Sequence, residues 1–174
     1  MSAVGPGTPE LEIRAATSAD LPALTALYNH YIEHTVITFD IEPWTVERRR
    51  EWFGHYAGTG PHRLLVGERS GAVVGYAASS TFRPKAAYGR SVETSIYLDH
   101  RHRGRGDGRL LYEALLAALA TEAVHRAYAG VALPNEASVR LHRQLGYTSI
   151  GVFREVGYKF GRYIDVEWFE RPIP

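Results

Sequence analysis

Arginine and glycine alternate through Arg103, Gly104, Arg105, Gly106, Asp107, Gly108 and Arg109. Glycine adopts positive φ without a Cβ penalty, so such a stretch can close its backbone around an anion. The residues that follow, Leu110, Leu111, Ala114, Leu115, Ala118 and Leu119, recur at helical spacing. Ahead of the glycines, Ser91–Leu98 reads as a short apolar strand. Strand, glycine loop and helix together present unpaired N–H groups at the positive end of a helix dipole, an arrangement that suits a pyrophosphate. The spacing excludes two common nucleotide motifs. A dinucleotide fingerprint needs a sixth-position glycine where Arg109 stands, and a P-loop needs Gly-Lys-Ser/Thr, which is missing.

Composition narrows the ligand further. The 174 residues carry 20 basic and 19 acidic side chains for a net charge of +1. A protein that grips a nucleic-acid backbone needs a broad basic surface. Here the positive charge is local, in Arg101, Arg103, Arg105 and Arg109 with His100 and His102, which fits a small polyanion and argues against nucleic acid. There is no cysteine, so disulfides, thiolate metal sites and thiol nucleophiles are excluded. His30 with His34, and His100 with His102, have spacings that could begin a metal site, but neither pair has a third ligand in a suitable pattern. No metal is expected. No apolar run approaches a membrane span and no signal sequence is evident, so the expectation is a cytoplasmic protein without membrane contact.

The elements that must position the loop follow from hydrophobic spacing. Residues 1–10, rich in glycine and proline, are expected to form a disordered tail, leaving one domain over 11–174. Leu11 to Ala15 reads as a strand. Thr17 with Asp20 resembles a capping box before a helix carrying Leu21, Leu24, Leu27, Tyr28, Tyr31 and Ile32. A second helix runs from Val46 to about Tyr56. A hairpin of Arg63–Glu68 and Ala72–Ser80 is followed by a loop over Phe82–Arg90. After the glycine loop and its helix come a strand over Ala127–Leu133 and a helix over Asn135–Leu145, stopped by Gly146. Strands at Tyr147–Val156 and Tyr163–Phe169 turn near Phe160 and Gly161. The order β-α-α-β-β-β-α-β-α-β-β predicts a single α/β (α+β) domain with a mixed, mostly antiparallel central sheet flanked by helices.

Arg103, Gly106 and Gly108 in the pattern Arg-x-x-Gly-x-Gly resemble the signature of the GNAT superfamily of acyl-CoA-dependent N-acetyltransferases. The resemblance spans about Leu11 to Glu170 and includes Leu133-Pro134-Asn135-Glu136-Ala137-Ser138, Leu141-His142 and Leu145-Gly146-Tyr147. Asn29-His30-Tyr31-Ile32, Val92-Glu93-Thr94-Ser95-Ile96-Tyr97-Leu98, His100-Arg101-His102 and Gly157-Tyr158-Lys159-Phe160-Gly161 are similar to the phosphinothricin and methionine-sulfoximine acetyltransferase branch. Three positions depart from it. Asp107 stands where an apolar residue is usual and puts a negative charge near the phosphates. Tyr163 and Glu170 replace an expected tryptophan and glutamine.

The resemblance implies acetyl-CoA as co-substrate, held by Arg103, Gly104, Arg105, Gly106, Asp107, Gly108 and Arg109. The backbone of Ile96, Tyr97 and Leu98 would pair with the pantetheine arm, the Leu98 N–H facing the thioester oxygen. Asn135 and Ser138 would touch the same arm, Asn135 also capping its helix. Glu93 is the candidate general base, sharing a strand face with Ser95 and Tyr97; its plain alternative is a solvent-facing glutamate. His142 stands where many members place a tyrosine that protonates the leaving thiolate. It could do so, orient Glu93 or the substrate, or simply pack its helix. Tyr31, Phe39, Lys85, Ala86, Tyr88 and Tyr158 are candidates to line the acceptor pocket, with core packing the rival for the aromatics. The implied reaction is direct transfer of an acetyl group to the α-amine of a small amino acid or analogue, without an acyl-enzyme, since no cysteine or serine motif appears. Acetylation of a protein N-terminus or another metabolite amine, and a non-catalytic acetyl-CoA-binding sensor, are the alternatives. A homodimer is implied by the family.

Overall fold

Among the described residues, 10–102 and 104–174 of a computed structural model, seven strands and four α-helices form. In chain order they are β1 (Glu12–Ala15), α1 (Leu21–His34), α2 (Val46–Phe53), β2 (Leu64–Arg69), β3 (Ala72–Thr81), β4 (Ser91–Leu98), α3 (Asp107–Ala120), β5 (Arg126–Ala132), α4 (Glu136–Gln144), β6 (Thr148–Lys159) and β7 (Arg162–Pro172). This is the order expected from the sequence. The expected tail lies, but for Glu10, outside the described residues, and so does Arg103. No helix among the described residues is long and apolar enough to cross a membrane.

Local chemistry explains the boundaries. The backbone N–H of Thr17 donates to Asp20 Oδ2 at 2.7 Å, and Arg14 grips the same carboxylate through two 2.8 Å bonds. The capping box therefore closes a short 3-10 turn, Ser18–Asp20, immediately ahead of α1. α2 ends at Phe53, short of Tyr56, because the Gly54 N–H turns back to the carbonyls of Arg50 and Glu51. β6 and β7 run longer than their alternation suggested. Phe160 and Gly161 both take positive φ, 51° and 74°, which makes a tight hairpin and lets pairing begin at Lys159 and Arg162.

The strands form one sheet in the order β1-β2-β3-β4-β5-β7-β6, antiparallel throughout except between β4 and β5. α3 supplies the crossover those two parallel strands need. Its buried Leu111, Leu115 and Leu119 pack on Val92, Ala127 and Phe169 across one face of the sheet. On the other face Leu24 of α1 and the aromatic side chains of α2 cover Leu64, Val66 and Tyr76. With both faces covered, the inner strands read as nearly continuous apolar runs, and their alternation sorts side chains between two cores.

Candidate active site

The parallel ladder between β4 and β5 is short. It pairs Ser91 with Arg126, Val92 with Ala127 and Glu93 with Tyr128, and beyond that point the strands diverge. Thr94 sits at the divergence and its Oγ1 donates to the Tyr128 carbonyl at 3.0 Å, closing the last rung with a side chain. Asp99 donates its N–H to Val74 on β3 at 2.8 Å. Because alternate residues of a strand point their N–H groups to opposite sides, Ile96 and Leu98 aim theirs toward the opening, whereas Tyr97 is turned to β3. A cavity of about 620 Å³ occupies the fork. From one face of the sheet it is walled by Asn135, Ser138 and His142, and from the other by Phe39, Arg83 and Glu93. β6 and β7 complete it with Phe153, Gly157, Tyr158 and Trp168. A Cβ built on Gly157 would lie 2.2 Å from the Phe39 ring, so only glycine lets that ring seat against the strand.

At the end of β4 the chain enters the glycine loop. Gly104 and Gly106 take φ of 78° and 82°, conformations that any other residue would hold under strain. Gly106 is the N-cap of α3 and has no side chain to cap it, so the first-turn amides stay directed outward. Gly108 lets α3 approach β4 closely: a Cβ there would stand 2.9 Å from Leu98 Cδ1. Asp107 requires a correction. Its carboxylate points inward, 1% exposed, and holds Arg69 through bonds of 2.5 and 3.0 Å. That pair lowers the Asp107 pKa and offsets its charge with the Arg69 guanidinium. Arg109 is engaged with Glu113 on the helix surface at 2.8 Å.

Glu93 is half-buried in the fork. Burial pushes its carboxyl above the usual range, and the nearby Arg83 guanidinium partly opposes that shift. His142 is buried at the other side of the cavity. Its Nδ1 lies 2.8 Å from the Ser138 carbonyl, which assigns the ring proton to that nitrogen and leaves Nε2 facing the Tyr112 hydroxyl at 3.2 Å. Tyr112 gives its single proton to Thr94 at 2.7 Å, so its approach to Nε2 is a contact without a second donated proton, and Tyr147 reaches the same Thr94 oxygen at 2.8 Å. Desolvation lowers the His142 pKa, the Ser138 carbonyl opposing it, so the ring is neutral near pH 7.

The strand fork, the glycine loop opening a helix and the carboxyl of Glu93 thus lie together at one end of the parallel pair. A family model described as an acetyltransferase (GNAT) domain matches residues 13–168. The chain belongs to the GNAT acetyltransferase family. A phosphinothricin N-acetyltransferase of Streptomyces coelicolor is 53% identical over 170 residues, spanning 97% of this chain and 99% of that one. An L-methionine sulfoximine/L-methionine sulfone acetyltransferase of Pseudomonas aeruginosa is 34% identical, over 91% and 92% of the two chains. The crystal structure of a GNAT phosphinothricin acetyltransferase from Sinorhizobium meliloti in complex with acetyl-CoA superposes with a TM-score of 0.89 at 31% identity, covering 94% of this chain and 88% of that one. As a GNAT protein the chain is an N-acetyltransferase.

Of the residues expected from sequence, Glu93, Ile96, Tyr97, Asn135, Ser138, His142, Phe39 and Tyr158 meet at the GNAT cavity. Asn135 caps α4 as well, accepting from the Ser138 N–H at 3.2 Å. Leu98 lies just beyond the lining with its carbonyl held by the Tyr31 hydroxyl at 2.6 Å, so Tyr31 steadies the strand end and stands outside the cavity wall. Lys85, Ala86 and Tyr88 belong to a 3-10 turn outside the cavity wall. Arg83, two residues before Lys85, is the loop residue that reaches the cavity. Its signal was a cation beside Phe82, whose ring stacks on Tyr128 at 4.2 Å and carries the loop to the fork. Trp168, Gly157 and the Thr94–Tyr112–Tyr147 group were also unassigned, because nothing in their spacing shows that β6, β7 and α3 converge there.

Proposed function

We propose that this protein transfers an acetyl group from acetyl-CoA to the α-amine of a small amino acid or analogue, of the phosphinothricin, methionine sulfoximine or methionine sulfone type, directly within a ternary complex. The observation that carries the proposal is the fork itself: a carboxyl with a raised pKa stands beside outward-facing N–H groups on the same strand. The named relatives support the acceptor class.

The residues present fit the coenzyme. Gly104, Gly106 and the first-turn amides of α3 would hold its pyrophosphate, and Asn135, Ser138 and the Ile96 N–H its amide-bearing arm. Acetyl-CoA supplies a thioester, an acyl group already activated toward an amine. The Leu98 N–H is the donor placed to stabilise negative charge on the carbonyl oxygen. Glu93 takes the proton of the incoming ammonium ion and passes it to solvent, a task helped by a carboxyl pKa closer to neutrality. His142, neutral, packs edge-on against the Tyr112 ring and steadies that wall rather than acting as the acid. A thiolate is a far weaker base than an alkoxide, so the coenzyme sulfur leaves without strong acid assistance.

We propose further that two copies associate. Ile150, Val152, Phe153 and Val156 on the edge strand β6 are each at least 40% exposed, and Phe153 and Val156 also wall the cavity. A neighbour seated on β6 would cover them and close the site.

A thiol-release assay across a panel of amines tests the reaction. Release with the sulfoximine, sulfone and phosphinate amino acids is expected, with none for peptides bearing a free N-terminus. Release with peptides alone, or with no amine despite acetyl-CoA binding, would overturn the reading.

A further inference from the structure

Behind the acyl-transfer cavity lies a second one of about 520 Å³, between α2 and the β3–β4 face of the sheet. Its floor is Arg49, only 3% exposed. The guanidinium stacks against Trp52, its Cζ 3.5 Å from the ring centroid, with Tyr28 at 4.3 Å. Among the described residues its one hydrogen bond is from Nη2 to the Tyr76 hydroxyl at 2.9 Å. Nε has no acceptor, and no carboxylate pairs with the group among the described residues. Aromatic faces attract a cation but do not neutralise it, so a full positive charge stays buried beside the cavity. None of the cavity's lining residues is acidic, while Ser80, Thr81 and Ser95 offer hydroxyls and His55 and His62 stand at the wall. Buried, uncompensated arginine beside donors is an arrangement made for an oxyanion.

The position of the cavity says where that oxyanion would come from. Ser95 and Tyr97 wall both cavities, and Ser80 pairs in register with Glu93. An acceptor whose amine lies at Glu93 therefore has the Arg49 cavity next to it. We infer that this cavity is a subsite for a small oxyanion, a phosphinate, sulfonate or carboxylate, carried on the distal end of the acceptor or arriving as a separate molecule. The assignment to the acceptor rests on the function proposed above; the anion site itself does not.

Calorimetric titration of the protein with methylphosphinate, without acetyl-CoA or acceptor, tests the site independently of turnover. Binding is expected to the parent, more weakly to Arg49→Lys, and not to Arg49→Met, with each variant's fold checked by circular dichroism. No binding to the parent, or equal binding to folded Arg49→Met, would overturn the inference. Inhibition kinetics separate the two sources: competition with a phosphinate-bearing amino acid assigns the distal group of the acceptor, and binding without competition assigns a free oxyanion. In the first case the kcat/KM preference for the phosphinate acceptor over its uncharged sulfone counterpart should fall by about tenfold or more in Arg49→Met. Should neither acceptor be acetylated by the parent, the proposed acceptor class falls while the titration still decides the site.

Discussion

A carboxyl whose pKa is pushed up by burial is a better base for an ammonium ion than one in water, and Glu93 is such a group. Replacing it with Gln leaves the fork's shape but removes the acceptor of the proton. Turnover of Glu93→Gln should drop about 100-fold or more near neutral pH. The deficit should shrink as rising pH deprotonates the amine by itself, while acetyl-CoA affinity stays near the parent's. A pH–rate profile parallel to the parent's at every pH would remove Glu93 from the base role. Asp107 gives a second prediction of opposite kind. Because its carboxylate is buried and spent on Arg69, Asp107→Asn should lower the melting temperature without tightening acetyl-CoA binding. A large gain in affinity by calorimetry would show that the charge does reach the phosphates. The type of residue at 107 was plain in the sequence, but its partner, 38 positions earlier, was not.

Elements hold these residues in place, and two of their junctions can be probed. The entry to α1 depends on Asp20, whose pKa is held down to about 2, mainly by its bonds to Arg14 and then by the Thr17 N–H. A depressed carboxylate contributes stability that is full above its unfolded pKa, near 4, and is lost as pH falls through about 2. Asp20→Asn should therefore cost about 2 kcal/mol at pH 7 and little at pH 2, measured by urea denaturation at both values. The entry to α3 depends on positive φ at Gly106. Gly106→Ala should cost about 1 kcal/mol or more and weaken acetyl-CoA binding, since the turn that aims the amides must distort. Periodicity made nearly every element legible, as did turn chemistry at Thr17, Gly146 and Phe160–Gly161. The divergence of β4 from β5 was not legible, because Thr94 reads as an ordinary strand residue until the Tyr128 carbonyl and the Tyr112 hydroxyl are seen to meet it. The cavity wall was hidden in the sequence for a related reason. Chain neighbours of Lys85 fold away, and Arg83 reaches in only because Phe82 stacks on a strand far along the chain.

At the scale of the molecule, the exposed apolar edge of β6 would tie the proposed assembly to the site. Sedimentation should show a dimer at micromolar concentration, and Phe153→Glu should yield monomers with a raised KM for the amine. A parent that sediments as a monomer would leave β6 without the partner proposed for it. The parting of β4 and β5 reaches further. Because the gap runs from α4 on one side to Phe39 and Arg83 on the other, it pierces the sheet from front to back. In the ternary complex proposed above, donor and acceptor would come in through opposite mouths of this gap and leave the way they came. Neither product has to wait for the other, so the N-acetylated amino acid should compete with the amine alone and free coenzyme with the acyl donor alone.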